Sequence, residues 1–190
     1  MRIVRSILAA TLTPPSGSHP KAAAAWRWVP WIAAYTGAEI GEIVRLRGSD
    51  VSDSEGIWVL RFAQQSSITH RRRLVPLHPH LIEQGFLEFA RSQAEEHLFL
   101  DDGDDPAKVV AKIGALTRKV AGNTASQAWR RRFVSQSCLA GTSIELTNEI
   151  HGRSFRASKL RHELPDNYWL KRMQEEIAKL PQIEVGPAHL

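Results

Sequence analysis

Two runs of three consecutive arginines, at residues 71–73 and 130–132, are the strongest candidates for chemistry in this sequence. Planar guanidinium groups bind phosphate oxygens through paired hydrogen bonds, so such clusters are typical of surfaces that contact a polyanion. The 190 residues include 25 Lys and Arg against 20 Asp and Glu, giving a net charge of +5 and a pI of about 9.7. Segment 108–172 is the most basic, with thirteen Lys or Arg against four acidic residues. This charge pattern fits a nucleic-acid partner and a solvated helical face equally well.

The other reactive side chains show no arrangement that a metal site or a nucleophilic enzyme would need. The sequence lacks a glycine-rich phosphate loop, a His-Glu-x-x-His motif and a Gly-x-Ser-x-Gly motif, and its eight histidines do not occur at metal-ligand spacing. Cys138 is the single cysteine, which excludes an intramolecular disulfide and a cysteine-rich zinc site. We therefore expect no metal and no cofactor. Because no apolar run approaches the roughly 20 residues that span a bilayer, we expect a cytoplasmic protein without membrane contact.

The spacing of apolar residues predicts a mainly α-helical domain with a small antiparallel β-sheet. Residues 1–21 are predicted to be a leader and linker, because the second half of this segment is rich in Pro, Ser and Gly. Residues 22–166 should form the domain, and 167–190 should add a C-terminal tail helix to it. Two strand-like runs, 56–62 and 73–77, flank a polar stretch that should be a hairpin loop or a third, edge strand. The predicted helices cover 22–35, 40–47, 79–96, 106–120, 124–140, 143–151 and 167–180.

Four segments in a particular order resemble the characteristic boxes of one family. Residues 36–51 are similar to a box that reads Thr-Gly-x-Arg-x-x-Glu-(Leu/Ile)-x-x-Leu and is followed closely by Asp. Residues 73–79 resemble a strand end that reads Arg-x-Val-Pro-Leu-His-Pro, and 133–152 keep the Phe and Gly spacing of an Arg-His-Thr-Phe helix that leads into Leu-Gly-His. Residues 168–180 are similar to the C-terminal helix of a proteobacterial integrase subgroup. Residues 26–190 thus resemble the catalytic domain of the tyrosine recombinases, the phage integrase family, which implies that fold and a role in DNA integration and recombination.

The resemblance implies a defined chemistry without metal. In this family a tyrosine attacks a DNA phosphate, and two arginines hold the non-bridging oxygens while the phosphorane forms. A lysine on a β-hairpin protonates the leaving 5′ oxygen, and two histidines, or a histidine and a tryptophan, complete the site.

The chain departs from most of that set at the matching positions. Glu39 takes the place of the first arginine, which puts a negative charge opposite a phosphate. The hairpin lysine should lie near 65–67, where the sequence reads Gln-Ser-Ser. The His-x-x-Arg box reads Gln-Ala-Trp-Arg, so Arg130 keeps the second arginine and Gln127 replaces the histidine.

Two later positions are also substituted. The Gly-His pair reads Gly-Arg, which places Arg153 at the histidine position. The nucleophile of the subgroup lies nine residues after that histidine and falls on His162, whereas Tyr168 matches a second, non-catalytic aromatic residue. Loss of a single transition-state donor typically costs 10²–10³ in rate. The resemblance therefore implies a catalytic domain that has lost most of its catalytic residues.

We predict an integrase-like DNA-binding domain that is catalytically inactive and that binds duplex DNA weakly and in a salt-sensitive manner. One alternative is an interaction module that pairs with another copy or with intact integrase subunits through the C-terminal helix. The other alternative is a recombinase that is still active. The predicted DNA contacts are Arg71, Arg72, Arg73, Arg130, Arg131, Arg132, Arg153, Arg156, Lys159 and Arg161.

Overall fold

The computed structural model describes residues 2–63, 72–121, 127–152 and 166–185. Helices surround a small sheet, which confirms the predicted fold class. Within these residues, no helix is long and apolar enough to cross a bilayer. In chain order the elements are α1 (Arg2–Ala10), α2 (Pro20–Thr36), α3 (Ile40–Ile43), a 3₁₀ turn (Gly48–Asp50), β1 (Val51–Ser54), β2 (Ile57–Phe62), β3 (Arg73–Pro76), α4 (Pro79–Glu83), α5 (Phe86–Ser92), α6 (Pro106–Ala121), α7 (Gln127–Leu139), α8 (Ile144–Ile150) and α9 (Asp166–Ala178).

The N-terminal segment is part of the core, which corrects the prediction of a leader over residues 1–21. Helix α1 packs against α6 and α2, and Ile7 and Leu8 are fully buried there. Just beyond the helix, the buried Thr11 hydroxyl accepts a hydrogen bond from the Trp31 indole at 2.8 Å. The Trp26 indole donates to the carbonyl of Ala10 at 3.0 Å. These contacts make the segment an integral part of the domain.

Helix α2 is the central helix of the fold and runs through Pro30 without a break. Proline is most frequent in the first turn of a helix, so its place in the interior of this one is unusual. Most of its residues from Ala25 onward are buried, so burial on several sides stabilises the helix despite the missing backbone donor. The helix ends at Gly37, whose positive φ of 63° forms a left-handed cap.

The sheet has the order β1-β2-β3 and is antiparallel throughout. The sequence predicts only β2 and β3, because β1 is short and polar. A two-residue turn joins β1 to β2, and both Glu55 and Gly56 have positive φ. Such turns match the right-handed twist of a hairpin. Along β2, the exposed Arg61 lies between the buried Leu60 and Phe62, and it pairs with Leu74 of β3.

The predicted helix over residues 79–96 is in fact two short helices, α4 and α5. Gly85 separates them with a φ of 86°, which a residue with a side chain rarely adopts. The helices α6, α7 and α8 begin and end within about three residues of their predicted bounds.

The C-terminal tail packs on its own domain. Helix α9 contacts β2, β3 and α8, and Leu170, Met173 and Ile177 are buried at that interface. Beyond the helix, the carbonyl of Leu180 lies 3.0 Å from His78 Nε2, and the amide of Ile183 donates to the Tyr35 hydroxyl at 2.9 Å. The apolar face of α9 is therefore covered within the same chain. The predicted alternative, in which the tail helix pairs with another subunit, stays a prediction.

The side chain of His78 is neutral and connects the C-terminal tail to the core. Its Nδ1 accepts a hydrogen bond from the amide of His80 at 3.1 Å, so Nε2 carries the proton and donates to Leu180. The ring stacks on Tyr35 with centroids 3.9 Å apart. Burial lowers the pKa of His78 to about 4, since a charged imidazolium would lose its hydration there.

We expect acid to weaken the fold through His78. The unfolded chain binds a proton at this residue below its ordinary pKa of 6.5, whereas the folded chain does so only near 4. Stability is therefore fully present above pH 6.5 and is lost as the pH falls, by about 2 kcal/mol at pH 5. Urea unfolding at pH 7.5 and pH 5 would measure this loss. His78→Asn keeps an acceptor for the His80 amide and should show a smaller difference between the two pH values. An unchanged difference would contradict the assignment.

Candidate nucleic-acid interface

Arg130 lies at a junction of three parts of the chain. Helix α7 is anchored by the buried Trp129 and Phe133, and this packing directs Arg130 toward the loop that follows α2. Its Nε lies 3.4 Å from the Gly37 carbonyl, and Nη2 donates to the His151 carbonyl at 3.2 Å. These two contacts hold the guanidinium in one orientation.

The third contact of Arg130 is an ion pair with Glu39. Nη1 of Arg130 lies 3.2 Å from Oε1 of Glu39, and the two side chains are 19% and 50% exposed. Glu39 directly precedes α3, and Gly37 precedes it in the same loop. The structure thus brings together two of the positions that the family resemblance singles out, and a carboxylate neutralises the arginine.

The loop geometry explains why a glycine stands at position 37. A Cβ there would lie 2.7 Å from the Phe133 ring and 3.0 Å from the Cβ of His151, and the φ is positive. Close approach of α7 to this loop therefore requires the absence of a side chain. That approach is what brings Arg130 within reach of Glu39.

Arg73 has a structural role, which corrects its prediction as a DNA contact. Its side chain is 2% exposed, and its two terminal nitrogens donate to the Glu42 carboxylate at 2.7 and 3.0 Å. Nε donates to the Ile150 carbonyl at 3.1 Å, and the guanidinium lies 4.5 Å from the centre of the Phe62 ring. Arg73 thereby joins β3 to α3 and to the end of α8.

Glu42 and Gly152 complete the surroundings of Arg73. Glu42 also accepts the backbone amide of Glu39 at 3.0 Å, so the same carboxylate fixes the start of α3. At Gly152, a Cβ would lie 2.8 Å from the Arg73 guanidinium carbon, and the φ is +79°. Both residues lie in segments that carry the family resemblance. The sequence did not indicate their contacts with Arg73, because Glu42 is 31 residues from it and Gly152 is still further away along the chain.

The second arginine run divides between three environments. Arg130 forms the contacts described above, whereas Arg131 is exposed. Arg132 is half-buried and donates to the Ala34 carbonyl at 3.2 Å, and burial lowers its pKa. Arg132 therefore contributes to the attachment of α7 to α2, and its predicted contact with DNA stays a prediction.

Arg61 and Arg72 present exposed cations beside the tail helix. Both line a small pocket of about 320 Å³ together with Leu74, Trp169 and Met173. Sequence reasoning identified Arg72 but missed Arg61. The alternation of buried and exposed residues along β2 could have indicated it, since position 61 falls on the open face of the strand.

Several predicted site residues lie outside the described part of the chain. These are Arg71, Arg153, Arg156, Lys159, Arg161, His162 and the hairpin segment 65–67. Gln127 is the first residue of α7, but its side chain is not among those that the structure describes. Among the described residues, no group of three or more His, Cys, Asp or Glu could hold a metal ion. Tyr168 on α9 is 46% exposed.

Comparison with known proteins gives a similarity of fold. The sequence matches no protein-family model and no curated protein. The structure is similar to a solved integrase from mycobacterium phage Brujita, with a TM-score of 0.58, 17% sequence identity and 95% of this chain covered. The match spans 56% of the phage integrase chain, so this chain corresponds to about half of that protein's length. The chain therefore has an integrase-like fold, in which α-helices surround a three-stranded antiparallel sheet.

Proposed function

We propose that this chain is an integrase-like domain that binds duplex DNA and does not rejoin strands. The observation that carries this proposal is the ion pair between Glu39 and Arg130 within an integrase-like fold. The similar solved structure is that of a phage integrase, and the similarity of fold supports a related role for this chain.

The ion pair is unfavourable for phosphoryl transfer at Arg130. A transition state with developing charge on phosphate oxygens needs donors that are free to bind it. Here two nitrogens of Arg130 donate to backbone carbonyls, and the third contacts a carboxylate. Glu39 also repels a phosphate that approaches this side of the arginine. Both effects favour binding of DNA elsewhere on the surface over catalysis at this point.

Arg61 and Arg72 are the proposed phosphate contacts. They are exposed, Arg61 lies on β2 and Arg72 directly precedes β3, and they line one pocket. Arg73 is next to them, but its charge is balanced by Glu42, so the net positive charge of this pocket comes from the two exposed residues. Binding through a few phosphates is weak and falls steeply as the salt concentration rises.

The salt dependence of binding tests these contacts. We expect micromolar or weaker affinity for a duplex, measured by fluorescence anisotropy over a series of salt concentrations. Replacing both Arg61 and Arg72 by Gln should reduce the slope of log K against log salt by about 1 for each lost contact. Lys108→Gln is the matched control, because Lys108 lies beside the acidic loop that contains Asp101 and Asp104. Equal slopes in all variants would contradict the assignment of these contacts, and no salt-sensitive binding would contradict DNA binding itself.

A covalent-adduct assay tests the absence of strand rejoining. A nicked suicide duplex traps the phosphotyrosyl enzyme of an active recombinase, and we expect no adduct on denaturing gels. Tyr168 is exposed on α9 and supports the second candidate function, an active recombinase. An adduct that disappears in Tyr168→Phe would establish that second function and overturn the proposal of inactivity.

A further inference from the structure

A long cleft separates helices α2 and α6 and lies apart from Arg130. It has a volume of about 620 Å³, within the range of about 300–1,000 Å³ that is typical of small-molecule sites. The buried side chains of Ala25, Phe99, Ile113 and Leu116 form its floor. Its lining is mostly apolar, so water gains few hydrogen bonds there.

Lysines on α6 form one rim of this cleft. Lys108, Lys112 and Lys119 all line it, and all three are exposed. None of them forms an ion pair with another residue in the described part of the chain. From Lys108 to Lys119 the helix rises about 16 Å, so the cleft is elongated along α6.

The two ends of the cleft differ in charge. Asp101 and Asp104 line the end near Lys108, and Asp101 pairs with His19 at 2.8 Å across it. Lys112 and Lys119 lie further along α6, beside Ala115 and Leu116. An anion is therefore repelled at the first end and attracted at the second.

We propose that this cleft binds a single-chain amphiphile with an anionic head. The apolar chain lies on the floor between α2 and α6, and the carboxylate or phosphate head contacts Lys112 and Lys119. An elongated, mainly apolar cleft with lysines along one rim and carboxylates at one end only is complementary to this class of molecule in shape and in charge. Such a site is independent of DNA binding and would be retained if the chain did not bind DNA.

A chain-length series tests the apolar part of the site. Calorimetric titration with octanoate, decanoate and dodecanoate, each below its micelle concentration, should show binding that strengthens about fourfold for each added methylene. Dodecanol should bind more weakly than dodecanoate, and dodecyltrimethylammonium more weakly again. An affinity that does not depend on chain length would overturn the proposal, as would equal binding of the cationic amphiphile.

Variants test the location of the site. Replacing Lys112 and Lys119 together by Gln should weaken dodecanoate binding about tenfold, whereas Lys108→Gln at the acidic end should change it little. Ala22→Phe places a ring into the cleft and should abolish binding. If that variant fails to fold, as shown by circular dichroism, the lysine variants still decide the question.

A lipid membrane also presents anionic head groups and apolar chains, so it is the competing partner for these lysines. Sedimentation with phosphatidylglycerol vesicles reports attraction of the lysines to a lipid surface. We expect Ala22→Phe to abolish dodecanoate binding and to leave any vesicle attachment unaffected. Dodecanoate binding that persists in a folded Ala22→Phe variant, or that is unchanged in the double lysine variant, would overturn the cleft as its site.

Discussion

Replacing Arg73 by methionine is expected to lower the free energy of unfolding by about 3–5 kcal/mol. The variant leaves the Glu42 carboxylate buried without its guanidinium partner, and a buried charge without a counter-ion is costly. It also removes the hydrogen bond to the Ile150 carbonyl that joins β3 to the end of α8. Because typical domains are stable by only about 5–15 kcal/mol, this single change should remove a large part of the stability. Urea unfolding monitored by circular dichroism would measure it.

Two control variants separate the effect of burial from the effect of charge on the free energy of unfolding. Arg72→Met removes the exposed neighbouring charge and should change the free energy of unfolding by less than about 0.5 kcal/mol. The double replacement of Glu42 by Leu and Arg73 by Met removes both charges, so it should be more stable than Arg73→Met alone. A cost below about 1 kcal/mol for Arg73→Met would show that the buried pair does not stabilise the fold.

Replacing Glu39 by glutamine is expected to strengthen duplex binding about tenfold at low salt. The carbonyls of Gly37 and His151 still hold the Arg130 guanidinium in place, so its outer nitrogen becomes available to a phosphate oxygen. The variant also removes a repulsive charge from the same position. Anisotropy titration with the duplex used for the salt series would measure the gain.

A second substitution, at Arg130, tests whether the stronger duplex binding of Glu39→Gln arises at this ion pair. Adding Arg130→Gln to Glu39→Gln should remove the gain, because the phosphate then has no guanidinium to bind. Glu145→Gln removes an exposed acidic charge on α8 and should have a much smaller effect than Glu39→Gln. A gain that survives the loss of Arg130 would mean that the effect comes from net charge alone, and the ion pair would then have no bearing on DNA binding.

The errors in the sequence-based prediction have physical causes. Helix α1 is too short to be stable alone, so its formation depends on burial of Ile7 and Leu8 against α6 and α2. Strand β1 is short and polar, and pairing with β2 decides its conformation. In the first arginine run, identical residue types have opposite environments. Position 73 begins β3 and faces the core, whereas position 72 precedes the strand and faces solvent.

The sequence by itself determined the fold class and most of the helices, and the family resemblance assigned Glu39 and Arg130 to two positions of one site. Apolar periodicity is a local property, so it can be read without knowledge of distant contacts. Only the tertiary structure decided which arginines are buried, that Glu42 pairs with Arg73, and that the tail helix covers its own domain. These features depend on contacts between residues far apart in the chain, where burial and charge pairing, rather than residue type, set the role of each side chain.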